Sequence, residues 1–138
     1  MNHWLVKSEP FKWSWDQMVK AKRTHWDGVR NYQASNNLKA MKIGDEVFFY
    51  HSNEGLEIVG IVTVVREYYP DPSDESGRFG MVDLQALKPL KTPVTLKQMK
   101  VDPALPGFAL VRQGRLSVCP VTDAEWMHIC TLGGVKPK

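Results

Sequence analysis

The chain has 138 residues, 43% of them hydrophobic and 24% charged, with a formal charge of +3 and a pI near 8.9. That balance fits one soluble domain over residues 1–138, large enough to bury a core without staples, and no apolar run approaches the roughly 18–20 residues of a membrane-crossing helix. The mild positive charge suits a polyanionic partner without demanding one.

The opening segment "MNHWLVKSEP" has neither a basic flank nor a long apolar run, so no secretory signal is expected, the mature chain is expected to begin here, and the expected home is the cytoplasm. In a reducing compartment Cys119 and Cys130 are expected as free thiols. His3, His25, His51 and His128 lie apart from one another and from the cysteines, so no metal and no cofactor are expected.

"HWLVK" predicts a first strand, ended by Pro10, which disfavours helix at Glu9. Ser14 followed by Gln17 has the spacing of a capping box, and Trp15, Met18 and Val19 continue at helical period, predicting a helix from about Ser14 to Ala21. The basic run Lys20, Lys22 and Arg23 at its end suits the helix dipole. A second helix is predicted over Tyr32–Met41, where Tyr32, Leu38 and Met41 share a face and Gly44-Asp45 gives a stop. "EVFFYHS" and "LEIVGIVTVVREYY" flank "NEG" and predict a hairpin. Pro70–Gly80 reads as a solvated loop, and "MVDLQALKPL" as a third long strand. Two more capping boxes, Thr95 with Gln98 and Thr122 with Glu125, predict short helices on either side of "GFALVRQGRLSVCPV", which supplies a last strand near Leu116–Val121. Strands from both ends and the middle, with helices between them, argue an α+β domain around a curved or closed sheet, best drawn as a small barrel.

Four clusters carry groups able to do chemistry: Lys7-Ser8-Glu9-Pro10, Trp26 to Tyr32, Tyr50-His51-Ser52, and Arg112 to Ser117. Each falls at a strand end or a helix start. Gathered on one side, they would give the apolar floor, aromatic walls and few polar groups of a small-ligand pocket. Trp26, Tyr32 and Tyr50 would stack on a planar base, Ser8, Glu9, Asn31 and Ser52 would bond its edge, and Lys7, Arg30 and Arg112 would face phosphates. This reading requires the three aromatics to meet in one cavity.

Plainer roles compete at several positions. Trp4, Trp13, Trp15 and Trp126 read as packing residues. Asp27-Gly28 fits a turn and Asn31 a helix cap. Glu9 as a general base competes with Glu9 as a hydrogen-bond acceptor for its own loop. His51 and Ser52 are neighbours in an extended segment, so their side chains point to opposite faces, against a direct relay.

Taken together, "WLVKSEP", "WDGVRNYQA", "GDEVFFYHS", "GIVTVV" and "RQGRLSVCPV" resemble the motifs of the EVE domain family in family order, across nearly the whole chain. That family is a branch of the PUA-like superfamily related to YTH domains. The resemblance implies a strongly bent mixed β-barrel with flanking short helices, carrying a pocket for one nucleobase. It implies binding of DNA or RNA with a modified base, chiefly modified cytosine, and no established catalysis. Carried over to this chain, the base-binding set is Ser8, Glu9, Trp26, Asn31, Tyr32, Tyr50, His51 and Ser52, with Lys7, Arg30, Arg112 and Gln113 towards phosphate. A monomer is expected. The alternative is an enzyme acting on a nucleotide or modified base, with Glu9 or His51 as acid or base.

Overall fold

The computed structural model describes residues 1–137. In chain order the elements are β1 (His3–Ser8), α1 (Trp15–Ala21), β2 (Arg23–His25), α2 (Tyr32–Ala40), β3 (Glu46–His51), β4 (Glu57–Pro70), β5 (Gly80–Thr95), α3 (Leu96–Lys100), α4 (Ala109–Arg112), β6 (Val118–Val121) and α5 (Asp123–Leu132).

All six strands belong to one sheet in the order β2-β5-β4-β3-β1-β6. The central hairpin β3–β4 follows from the continuous apolar run in "EVFFYHS" and the β-branched run after it. β1 joins it in parallel, His3 opposite Glu46 through Ser8 opposite His51, while β6 runs antiparallel on the outer edge of β1. The β4–β5 ribbon shifts register at several points between Ile58 and Tyr69. Each shift leaves one or more residues unpaired and bends the ribbon, so the sheet is strongly curved. It is also open, since β2 and β6 end it as edges that do not pair with each other. The α+β class holds, and the expected closure into a barrel does not.

Three helices carry the expected caps. Ser14, Thr95 and Thr122 each accept the N3 backbone N–H, and Gln17, Gln98 and Glu125 each reach back to the N-cap amide. α1 buries Trp15 and Met18, three residues apart, and the Trp15 ring lies flat on the backbone at Gly60, where a Cβ would come within 2.4 Å of it. α5 buries Trp126, Ile129 and Cys130 on one face, with Trp126 stacked on Phe48 at 3.9 Å. Trp4, Trp15 and Trp126 therefore belong to the core, as their size suggests. α2 is capped by Asn31, whose side-chain oxygen accepts the Ala34 N–H at 2.9 Å.

Two elements escape the sequence patterns. β2 is three residues long, too short to show alternation, and pairs with β5 through Arg23–Gln85, Thr24–Leu84 and His25–Asp83. Its anchor is polar: Arg23 Nη2 donates to the buried Asp83 carboxylate at 2.9 Å, and the Tyr69 hydroxyl donates to the other oxygen. α4 is a single turn of four residues.

Candidate functional site

Residues at the end of β1 and around the end of β2, strands that the sheet order separates by β5, β4 and β3, line one cleft of about 640 Å³. Lys7, Ser8 and Glu9 at the end of β1 form one wall, and the turn after them adds Lys12 and Trp13. Thr24, His25, Trp26 and the loop to Arg30 form the other, with Ser117 closing a corner. The first turn is rigid, because Glu9 C=O accepts the amides of both Lys12 and Trp13 at 2.9 Å, and the Ser8 hydroxyl donates to Trp13 C=O. Trp26 is fixed from below and behind. Its amide donates to Val82 C=O at 2.7 Å, and its half-buried ring meets the buried Phe49 edge-on at 5.7 Å.

The loop after Trp26 is held by a carboxylate from the connection between β4 and β5. Asp71, whose side chain has no exposed surface, accepts the Gly28 amide at 2.9 Å and Arg30 Nη1 at 3.1 Å through Oδ2, and the Ser73 amide and hydroxyl through Oδ1. Burial opposes its ionisation, but the Ser73 hydroxyl, the Gly28 and Ser73 amides and Arg30 outweigh that and hold the carboxyl well below the usual range. Gly28 has φ of +79°, a conformation costly for a side chain, which aims its amide at the carboxylate.

The cleft thus offers two indole rings, hydroxyls, the Glu9 and Asp27 carboxylates and ammonium groups within a volume inside the about 300–1,000 Å³ range of small-ligand sites. Burial pushes the Lys7 ammonium below its ordinary pKa, against a smaller opposing pull from Cys119, and its Nζ donates to Gly114 C=O at 2.8 Å. Glu9 pairs with Lys12 at 3.4 Å, the likeness to a loop-closing acceptor being stronger than to a free base.

The sequence-derived set is only partly gathered here. Lys7, Ser8, Glu9, Trp26 and Arg30 line the cleft. Tyr50 is 2% exposed, packed in the core because β3 is covered on both faces. Tyr32 is 61% exposed on α2 and rests on Phe79, ring centres 5.0 Å apart. The three aromatics expected to meet are therefore dispersed, so the cavity drawn from the sequence is not formed by them; Trp13, half-buried against the core as its reading as a packing residue has it, also lines the cleft with Trp26. His51 Nε2 accepts the Trp15 amide at 3.0 Å, so that nitrogen serves the start of α1 and is not free for acid–base work. Ser52 is tied to β1 by its amide, which donates to Ser8 C=O at 2.9 Å. Asn31 and Gln113 line a second, smaller depression, and Arg112 lies exposed against Gly107, outside both.

Sequence reasoning missed Asp71 and Ser73, which sit in the segment read as plain loop. The Asp-x-Ser spacing there was the available signal, since an Asp oxygen readily accepts the amide two residues on. Lys12, Thr24 and His25 carried no such signal, whereas Ser117 belongs to the cluster from Arg112 to Ser117 already marked in the sequence.

Fold and cleft define a small α+β domain on an open, bent sheet, with a cleft lined by two indoles and by charged side chains of both signs. The chain belongs to the EVE domain family, whose model matches residues 2–132. Thymocyte nuclear protein 1 of Rattus norvegicus is 36% identical over 99% of this chain and 75% of its own length. A crystallised protein of Agrobacterium tumefaciens is 48% identical, with a TM-score of 0.96 over 100% of this chain and 97% of that one. Human THYN1, solved in complex with 5-methylcytosine containing DNA, is 35% identical, with a TM-score of 0.88 over 99% of this chain and 100% of that one. The PUA-like fold expected from the family resemblance holds with these neighbours.

Proposed function

We propose that the chain is a reader of modified cytosine in DNA, taking one extruded base into the cleft between Trp13 and Trp26. The observation that carries this reading is the human relative's complex with 5-methylcytosine containing DNA, aligned along essentially the full length of both chains. The cleft supports it independently. Two indoles supply stacking worth about 1–3 kcal/mol per base, and Ser8 and Glu9 supply an acceptor-rich edge for the exocyclic amino group of cytosine. Lys7 and Lys12 stand at the rim, where a phosphate would relieve the half-buried Lys7 ammonium of its missing counter-charge. Arg30 contributes by fixing the loop through Asp71 more than by meeting phosphate. A monomer is the proposed binding unit.

Titration with short DNA and RNA oligonucleotides bearing cytosine, 5-methylcytosine, 5-hydroxymethylcytosine, adenine or N6-methyladenine, followed by mass analysis of the recovered strand, tests the reading. Saturable binding that favours a modified cytosine in DNA, with unchanged mass, is expected. Altered mass replaces the reader with an enzyme, and indifference to every modification refutes the proposal.

A further inference from the structure

The second depression, about 340 Å³, adjoins the base cleft. Consecutive residues carry both walls from one to the other: Arg30 lines the cleft and Asn31 the depression, while Ser117 lines the cleft and Leu116 the depression. A hydrogen bond also links the two linings, the Lys7 ammonium of the cleft donating to Gly114 C=O of the depression at 2.8 Å. A free nucleoside would have no use for the adjoining space. A base within a polymer brings its neighbour with it.

The lining of this depression is an ordered polar surface. Gln33 Nε2 donates to Gln113 Oε1 at 2.8 Å, joining the start of α2 to the turn after α4. That bond leaves the Gln33 carbonyl oxygen as an acceptor and the Gln113 amino group as a donor, and reversing both amides leaves the same combination. Gln113 is held in place by its own backbone, its amide donating to Ala109 C=O at 2.8 Å and its carbonyl accepting the Leu116 amide at 3.0 Å. Asn31 commits its side-chain oxygen to the Ala34 amide, which leaves its amino group as one more donor on the same wall. Arg115 stands exposed at the edge, and among the described residues no carboxylate pairs with it.

From this geometry we infer that the depression is a subsite for the nucleotide next to the extruded base, with the Gln33–Gln113 pair reading that neighbour's edge and Arg115 meeting its phosphate. The inference rests on the proposed reader function. An acceptor beside a donor complements the N6 amino group and N7 of adenine and mismatches the two adjacent acceptors, O6 and N7, of guanine. The subsite therefore makes recognition depend on sequence context, favouring adenine over guanine on one side of the modified cytosine.

The test is a set of duplexes with one 5-methylcytosine, or plain cytosine in its place, and each of the four bases as neighbour on either side. Wild-type protein is expected to favour adenine over guanine on one side by about ten-fold, roughly what one well-made amide–base contact contributes. The double variant Gln33→Ala/Gln113→Ala is expected to bring that ratio close to one. Arg115→Ala is expected to weaken binding equally for all neighbours and to reduce the salt slope by about one. Both glutamines and Arg115 are exposed, and a thermal melt verifies that each variant is folded. Discrimination between methylated and plain cytosine reports on the base cleft, and neighbour preference reports on the subsite. If wild-type protein discriminates the methyl group but is indifferent to neighbours or orders them otherwise, the subsite is overturned and the reader stands. If neighbour preference survives in the double variant, the subsite is likewise overturned. Loss of both forms of discrimination in the wild type overturns the two together.

Discussion

Asp71→Asn is the sharpest perturbation of the cleft that leaves every residue in contact with base or phosphate unchanged. The Asp71 oxygens divide their partners: Oδ1 accepts from Ser73, and Oδ2 accepts the Gly28 amide at 2.9 Å and Arg30 Nη1 at 3.1 Å. An asparagine with its oxygen towards Ser73 turns an amino group towards two donors, so both bonds to the 28–30 loop are lost. Hydrogen bonds to a charged group are worth about 1.5–3 kcal/mol each, and the Arg30 contribution is discounted because that side chain is 39% exposed. The expected loss is about 3 kcal/mol, or roughly 10 °C in Tm for a domain of this size. The acid limb should change as well. With a folded-state pKa below the unfolded value of about 3.9, Asp71 stabilises the fold above that value and loses this contribution as pH falls through and below it, so the variant should show a shallower decline in acid. Urea unfolding at pH 7 and across pH 2–5 measures both effects, and hydrogen exchange at the Gly28 amide reports loosening of the loop behind Trp26. A loss under about 1 kcal/mol, with the acid slope unchanged, would refute the claim that this carboxylate organises the loop.

Trp26→Ala and Trp13→Ala should each weaken binding of a 5-methylcytosine oligonucleotide by ten-fold or more, from the about 1–3 kcal/mol of a base–aromatic stack, whereas Tyr32→Ala and Tyr50→Phe should alter it by less than two-fold; calorimetric titration separates the groups. For His51, burial lowers the pKa against the pull of Glu57 and Asp16, so the unfolded chain takes up the proton first and stability declines as pH falls below about 6.5. His51→Ala should cost about 1–2 kcal/mol by orphaning the Trp15 amide, and should flatten that decline in melts between pH 5 and 8. Gly60→Ala sets a Cβ 2.4 Å from the Trp15 ring, and a destabilisation of about 1–3 kcal/mol is expected, visible as a lowered urea midpoint.

Much of the architecture is local chemistry, and to that extent the sequence determines it alone. Three capping boxes fix three helix starts because their hydrogen bonds span only four residues, and the apolar, β-rich runs of β3 and β4 around a short polar turn commit that segment to a hairpin. The clusters at Lys7–Glu9 and Trp26–Arg30 were legible as site material for the same reason, their density of stacking and hydrogen-bonding groups being unusual for a strand end. Tertiary structure alone decided which aromatics line the cleft. Tyr50 looks like a pocket residue in "YHS", yet its strand is covered on both faces, while Trp13 packs half-buried against the core and also lines the cleft at the end of the Glu9–Trp13 turn. Openness of the sheet depends on whether its two edge strands meet, a relation between residues 23–25 and 118–121 that no local pattern encodes. The hold of Asp71 on Gly28 and Arg30 joins segments more than forty residues apart, and such a bond is invisible until the chain has closed that distance.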